Sequence, residues 1–327
     1  MGSPTKFPYG LSSQGVPVLG GQGIMTNGKA YFVDPTNGSD SNDGKTAKTA
    51  KATIAAGEEL LVANQNDVLY YFASSTGPTL SATLTWDKDY THFIGIGAPT
   101  MIGQRCRIFQ LSTATGVSPL INITANGCSF KNLYIFHGVA DATSKINVQV
   151  TGDRNYFENI HFAGIGNDTM DVADARSLFL NAAHENRFVN CVIGLDTIDA
   201  GSAANAELEF DSESSRNVFD DCVFQRRIEH NTNHPLVKLT DNYGIGSFTL
   251  FRNSIFVYTS VNAVYHGTEV FQIPAIASPT RKIILMNCVA VSGNASAISW
   301  DSNSRGITFA NMVAAAATAV GGLATVR

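Results

Sequence analysis

Charge is what this chain has least of. Asp, Glu, Lys and Arg make up only 15% of its 327 residues, against about 25% in an average globular protein. The 22 Lys+Arg and 27 Asp+Glu leave a formal net charge of −5, so binding of nucleic acid through bulk positive charge is excluded. Disorder is excluded by a hydrophobic fraction of 44%. Long apolar runs are missing too. The most apolar segment, 312–326, is rich in alanine and interrupted by Gly321 and Gly322, whereas a membrane span needs about 20 residues. The first ten residues lack the basic start, apolar run and small-residue cleavage site of a secretory signal. The five cysteines, Cys106, Cys128, Cys191, Cys222 and Cys288, are odd in number, far apart and without a C-x-x-C pair. They read as buried thiols of a protein made in a reducing cytoplasm, and no disulfide, metal or cofactor is expected.

What the chain does have is a repeat. Seven segments align without gaps, starting at Phe130, Phe157, Phe188, Phe219, Phe251, Leu285 and Phe309. Two residues after each start comes Asn132, Asn159, Asn190, Asp221, Asn253, Asn287 or Asn311, followed by three mostly apolar residues. Between these motifs lies a second short strand, as at 121–124, 148–151, 178–181, 208–211, 237–240 and 298–301, in which apolar and polar residues alternate as in a half-buried strand. One such unit cannot bury its inner face alone, but stacked coils share a continuous core. Asn tolerates the left-handed backbone conformation, so an Asn column at a sharp bend can form an amide ladder from coil to coil. The expectation is an all-β, single-stranded, right-handed parallel β-helix over 30–314. Residues 1–29 form an extended N-terminal arm, 30–66 the entry to the β-helix, and 315–327 a C-terminal docking tail.

The segment Ala30-Tyr31-Phe32-Val33-Asp34-Pro35-Thr36-Asn37-Gly38-Ser39-Asp40-Ser41-Asn42-Asp43-Gly44, with Ala52–Ala56 and Asp67–Phe72, resembles the opening of pectate-lyase-like β-helix proteins. That resemblance implies a first strand, a turn, a capping helix and a first coil. It is nearly silent about function, because the fold hosts lyases, hydrolases, adhesins and virion proteins.

An enzyme acting on a polysaccharide would project acids and bases from neighbouring coils. The outward column of the alternating strand reads Asn122, Gln149, Phe179, Glu209, Lys238 and Ser299. It contains one surface ion pair, Glu209 with Lys238, and no carboxylate pair. Two connections one coil apart are acidic, Asp168, Asp171 and Asp174 in the first, Asp196 and Asp199 in the second. They are the catalytic candidates of the enzyme reading, with calcium binding and a solvated turn as alternatives. The run Asp34, Asn37, Asp40, Asn42 and Asp43 is likewise a turn or a calcium loop, lacking the closing Glu of the twelve-residue calcium motif. Glu229, His230 and His234 with Arg226 and Arg227 read as one polar loop.

The three residues after each Asn are apolar on both strand faces. With the first and third pointing inward, Val192, Val223, Ile255, Val289 and Val313 form an outer apolar stripe, which marks an interface. The arm, rich in Gly and Pro, carries Phe7, Tyr9, Leu11, Val16, Val18 and Leu19. From Lys6 to Gly20 it is similar to the start of tailed-phage head proteins. These features together lead to the expectation of a homotrimeric virion protein that decorates or cements the capsid of a tailed bacteriophage. Its trimer would form along the stripe, its arm would lie on the major capsid protein, and its synthesis would be in the host cytoplasm. A host-surface glycan is a further candidate partner; nucleic acid and membrane are not. The alternatives are a tailspike or secreted polysaccharide lyase or hydrolase, and a glycan-binding adhesin without catalysis.

Overall fold

The computed structural model describes residues 12–13, 16–17, 26–74, 77–103, 106–200, 204–229, 234–240, 243–262, 265, 267, 269–274, 282–292, 298–300 and 307–311. Of the expected arm and tail, only the paired strands Ser12–Ser13 and Val16–Pro17 and residues 26–29 fall within them. Phe7, Tyr9, Leu11, Val18, Leu19 and Val313 lie outside the described residues.

The chain is a right-handed parallel β-helix built from three parallel sheets. Sheet one has ten strands and carries the Phe motif, sheet two runs through the residues after the Asn, and sheet three holds the alternating strands. The motif aromatics pair in register from coil to coil, Phe93 with Phe130, Phe130 with Phe157, Phe157 with Phe188, Phe188 with Phe219 and Phe219 with Phe251. Their rings stack at 5.1, 4.5, 4.5 and 4.9 Å from Phe130 to Phe251, with planes within 10° of parallel. Each such pair adds about 0.5–1.5 kcal/mol beyond its buried area. Ile121, Val148, Leu178, Leu208 and Val237 close the core from sheet three.

The bend between sheets one and two is left-handed at all seven motif positions. Asn132, Asn159, Asn190, Asp221, Asn253, Asn287 and Asn311 all have φ between 51° and 57°. The amides are bonded along the stack, Asn159 Nδ2 donating to Asn132 Oδ1 at 2.9 Å and Asn287 Nδ2 to Asn253 Oδ1 at 3.2 Å. A second ladder, fully buried, stands at the corner from sheet three to sheet one. Asn155 Oδ1 accepts from Cys128 N, Asn186 Oδ1 from Asn155 N and Asn217 Oδ1 from Asn186 N, at 2.8, 2.8 and 3.0 Å. Their amide nitrogens donate to Ala125, Gly152 and Ala183 carbonyls.

The capping helix, α1 (Ile54–Glu58), starts at Thr53, whose hydroxyl accepts from Ala56 N. Gly57 faces the end of the core so closely that a Cβ there would lie 2.4 Å from Val33 and 2.9 Å from Leu69. The helix therefore plugs the barrel where a coil of strands would otherwise continue. All five cysteines are buried and free.

One column differs from expectation. Lys238 pairs with Gln272, not with Ser299, which bridges to Glu269 in the following coil. The strand at Phe271–Gln272 is only two residues long, too short to show alternation in the sequence.

Candidate functional site

The outward side of sheet three is a polar track. Thr85, Asn122, Gln149, Phe179, Glu209, Lys238 and Gln272 lie side by side on seven consecutive strands. At about 4.8 Å per strand the track is about 29 Å long. A second row adds Asn181 and Asp211, paired in register, with Thr240 beyond Lys238. Phe179 is the one aromatic ring among these amides, hydroxyls and charges, and it is half exposed.

Glu209, the fifth of these seven, is only 5% exposed. Its Oε2 accepts from Arg176 Nε, its Oε1 accepts from Thr240 Oγ1 at 2.7 Å, and Lys238 Nζ stands 3.6 Å away. The ion pair read from sequence is present, but Arg176 is the stronger partner. Burial pushes the Arg176 guanidinium down to about 10, with Asp174 and Glu207 opposing the shift and Arg226 adding to it. Lys238 is also pushed below the usual lysine range, first by burial and then by Arg176. Lys238 is thus a partly exposed amine of lowered pKa beside a buttressed carboxylate, an arrangement that can serve as an acid–base pair.

Beside the track lies a second ionic group that sequence reading missed. Arg226 is wholly buried, its Nε donating to Glu207 Oε1 at 2.7 Å and its Nη1 to Asn205 Oδ1 at 2.6 Å. Glu207 accepts from Ser177, and Asn205 Nδ2 donates to Asp171 Oδ1 at 2.6 Å. This chain ties Asp171 and Asn205 to the strands that carry Arg226 and Glu207. Its signal in the sequence is Ala206-Glu207-Leu208-Glu209-Phe210-Asp211, an unbroken alternation with three outward acids, one of which needs a cation from another sheet.

The acidic candidates take separate partners or face solvent. Asp171 is consumed by Asn205, Asp174 stands 3.6 Å from Arg176, and Asp199 pairs with Arg227 at 2.9 Å. Asp168 and Asp196 are exposed. Among the described residues no three His, Cys, Asp or Glu side chains are grouped to hold a metal. In the first-coil turn, Asp34 accepts from Thr36 N and from the Asn37 amides, and Asp40 accepts from Ala52 N, Thr53 N and Thr53 Oγ1. These carboxylates hold their own turn together. The polar loop is also corrected: Arg226 is buried, Arg227 pairs with Asp199, His234 is buried, and His230 lies outside the described residues.

Sheet two presents the apolar stripe, with one correction. Val192 is fully buried, because the chain's own connections close over it. Its register neighbour His161 accepts from Gly103 N at 3.2 Å through Nδ1, and its Nε2 meets the Gly194 carbonyl at 2.9 Å. Gly194, at φ 96°, leaves no room for a side chain: a Cβ there would lie 2.1 Å from the Gln225 carbonyl oxygen. The open stripe therefore starts one coil later. Val223, Ile255 and Val289 form one row and Val257 and Val291 the next, with Ile255 42% exposed. Toward the N-terminal coils the same sheet carries the half-buried cluster Phe109, Tyr134 and Phe136, with Arg107 over the Tyr134 ring at 5.4 Å.

No known sequence family matches the chain, and no curated protein matches it in sequence. Among solved structures it is similar to a pectin methylesterase mutant in complex with a hexasaccharide, at 18% identity, with 80% of this chain and 82% of that one covered and a TM-score of 0.50. A second pectin methylesterase–hexasaccharide complex matches at 18% identity, covering 86% of this chain and 80% of that one, also with a TM-score of 0.50. ORF18 of Geobacillus virus E2 is more distant, at 11% identity, with 86% and 62% covered and a TM-score of 0.37. The likeness to the two pectin methylesterase structures establishes the pectate-lyase-like β-helix fold, which carbohydrate-active enzymes share.

Proposed function

We propose that the chain is a structural protein of a virus particle, a decoration or cement protein on a tailed-phage capsid, which associates as a homotrimer through sheet two. The observation that carries this reading is the half-exposed apolar double row Val223, Ile255, Val289, Val257 and Val291. A contiguous row of this kind, with Ile255 42% exposed, is a surface suited to protein contact. The Gly- and Pro-rich arm, residues 1–29, is the segment that would lie on the major capsid protein. Heads lacking the protein, incubated with the full chain and with a chain starting at residue 30, test the second half. The full chain should sediment with the heads and the shortened one should not; equal sedimentation would remove the arm from the account.

A second reading rests on sheet three. A track about 29 Å long, with one aromatic ring among amides, hydroxyls and an acid–base pair, suits an extended polysaccharide, either as substrate of a lyase or hydrolase or as the ligand of an adhesin. Incubation with acidic polysaccharides tests it. Ultraviolet-absorbing product or new reducing ends, lost in Lys238→Ala and Glu209→Gln, would make the protein an enzyme and overturn the purely structural reading.

A further inference from the structure

We infer that the corner between sheets one and two holds a separate binding site for a single neutral sugar unit, independent of both readings above. A groove of about 240 Å³ opens there, lined by Pro99, Met101, Asn132, Glu158, Asn159 and Asn190. Its floor is three successive rungs of the amide ladder, held in place by left-handed bends at φ 57°, 54° and 51°. The rungs are about 4.8 Å apart, a spacing that suits hydroxyls on alternate ring carbons, and the carboxamide of a rung can both donate and accept. Asn132 and Asn159 are locked to each other, Asn159 Nδ2 donating to Asn132 Oδ1 at 2.9 Å, and Asn132 Nδ2 reaches the Gly95 carbonyl at 3.4 Å. Asn190 is the exposed rung.

One wall is the Glu158 carboxylate, bound by Lys131 Nζ at 2.7 Å through Oε2. Lys131 itself lies over the Tyr156 ring at 5.3 Å. The pair cancels in charge, which disfavours an ionic ligand, while the carboxylate still accepts hydrogen bonds from hydroxyls. The other wall, Pro99 and Met101, is apolar and matches the C–H face of a pyranose. Hydroxyls both donate and accept, which suits the carboxamides, and they donate to the carboxylate. The volume suits one ring and not a chain, which separates this groove from the track on sheet three.

The test is saturation-transfer NMR and titration of the full-length protein with methyl glycosides of glucose, galactose and mannose. The site predicts transfer to at least one of them, and affinity lowered about fivefold, the loss of one hydrogen bond, in each of Asn190→Gly and Glu158→Gln. Glycine keeps the left-handed bend at 190, and Glu158→Gln keeps the shape of the wall, so thermal unfolding should stay within a few degrees of the parent. Phe179→Ala should leave the affinity unchanged. Absence of transfer from all three glycosides would overturn the proposal. So would binding that survives both groove variants, or binding lost in Phe179→Ala, which would assign the sugar to sheet three.

Discussion

At the scale of the residue, the account turns on asparagine. The exposed column at the first corner was legible because Phe-x-Asn recurs and because Asn is the residue type that bends left-handed at low cost. The second ladder, Asn155, Asn186 and Asn217, was missed although each stands two residues before a motif Phe. Its role is to bond backbone across coils from inside the corner, and no conformational preference announces that. Asn186→Ala would strand the Asn155 N–H and the Gly152 carbonyl in a dry interior, at a cost of about 2–4 kcal/mol for two unpaired groups. Urea unfolding should show that loss, with Asn190→Gly, at an exposed rung, changing the midpoint far less. Histidines add a pH dependence. Burial lowers His92, His137 and His161 from the ordinary 6.5 to about 4. Between those values the unfolded chain binds more protons than the folded one, so stability is full above pH 6.5 and falls as pH drops toward 4. The slope approaches about 1.4 kcal/mol per pH unit for each histidine. Urea midpoints at pH 7, 6 and 5 should decrease in that order, and a flat series would mean the rings are not held neutral. The carboxylates of Asp220 and Asp141, held below the usual range by hydrogen bonds from Arg252 and from Ser144 respectively, lose their contribution only at lower pH, as they take up protons.

At the scale of the element, the strands of sheets one and three were readable from period and spacing, whereas the connections were not. The acidic loops looked like a gathering of carboxylates because sequence shows neighbours along the chain and not the cations that arrive from other coils. Arg227, from sheet two, pairs with Asp199, Arg176, from sheet three, stands beside Asp174 and holds Glu209, and Arg226, from sheet two, holds Glu207. Breaking one side of a buried pair leaves a charge with no partner, which costs about 3–5 kcal/mol. Arg226→Met should therefore destabilise strongly, and Arg226→Met combined with Glu207→Leu should recover much of the loss. Thermal unfolding of the two variants decides this, and a double variant no better than the single one would mean that Glu207 is held chiefly by Ser177. The stripe shows the same limit. Its alternation was visible, but the coverage of Val192 depends on where the 97–103 and 194–200 connections fold back, and a period-two pattern carries no record of that.

At the scale of the whole molecule, the β-helix is a rod with three dissimilar faces. Sheet three is polar, sheet two is apolar in its C-terminal coils, and sheet one is crossed by ion pairs such as Lys131–Glu158 and Arg187–Asp220. On the proposed reading, in which one face is turned to its own copies, such a rod needs few charges, and only 15% of the sequence is charged. The claim is tested most directly by the mass of the purified protein in solution. Light scattering at micromolar concentration should return three times the 34.9 kDa of one chain, and Ile255→Asp with Val289→Asp should reduce it to one. A parent protein that scatters as a monomer would contradict the account.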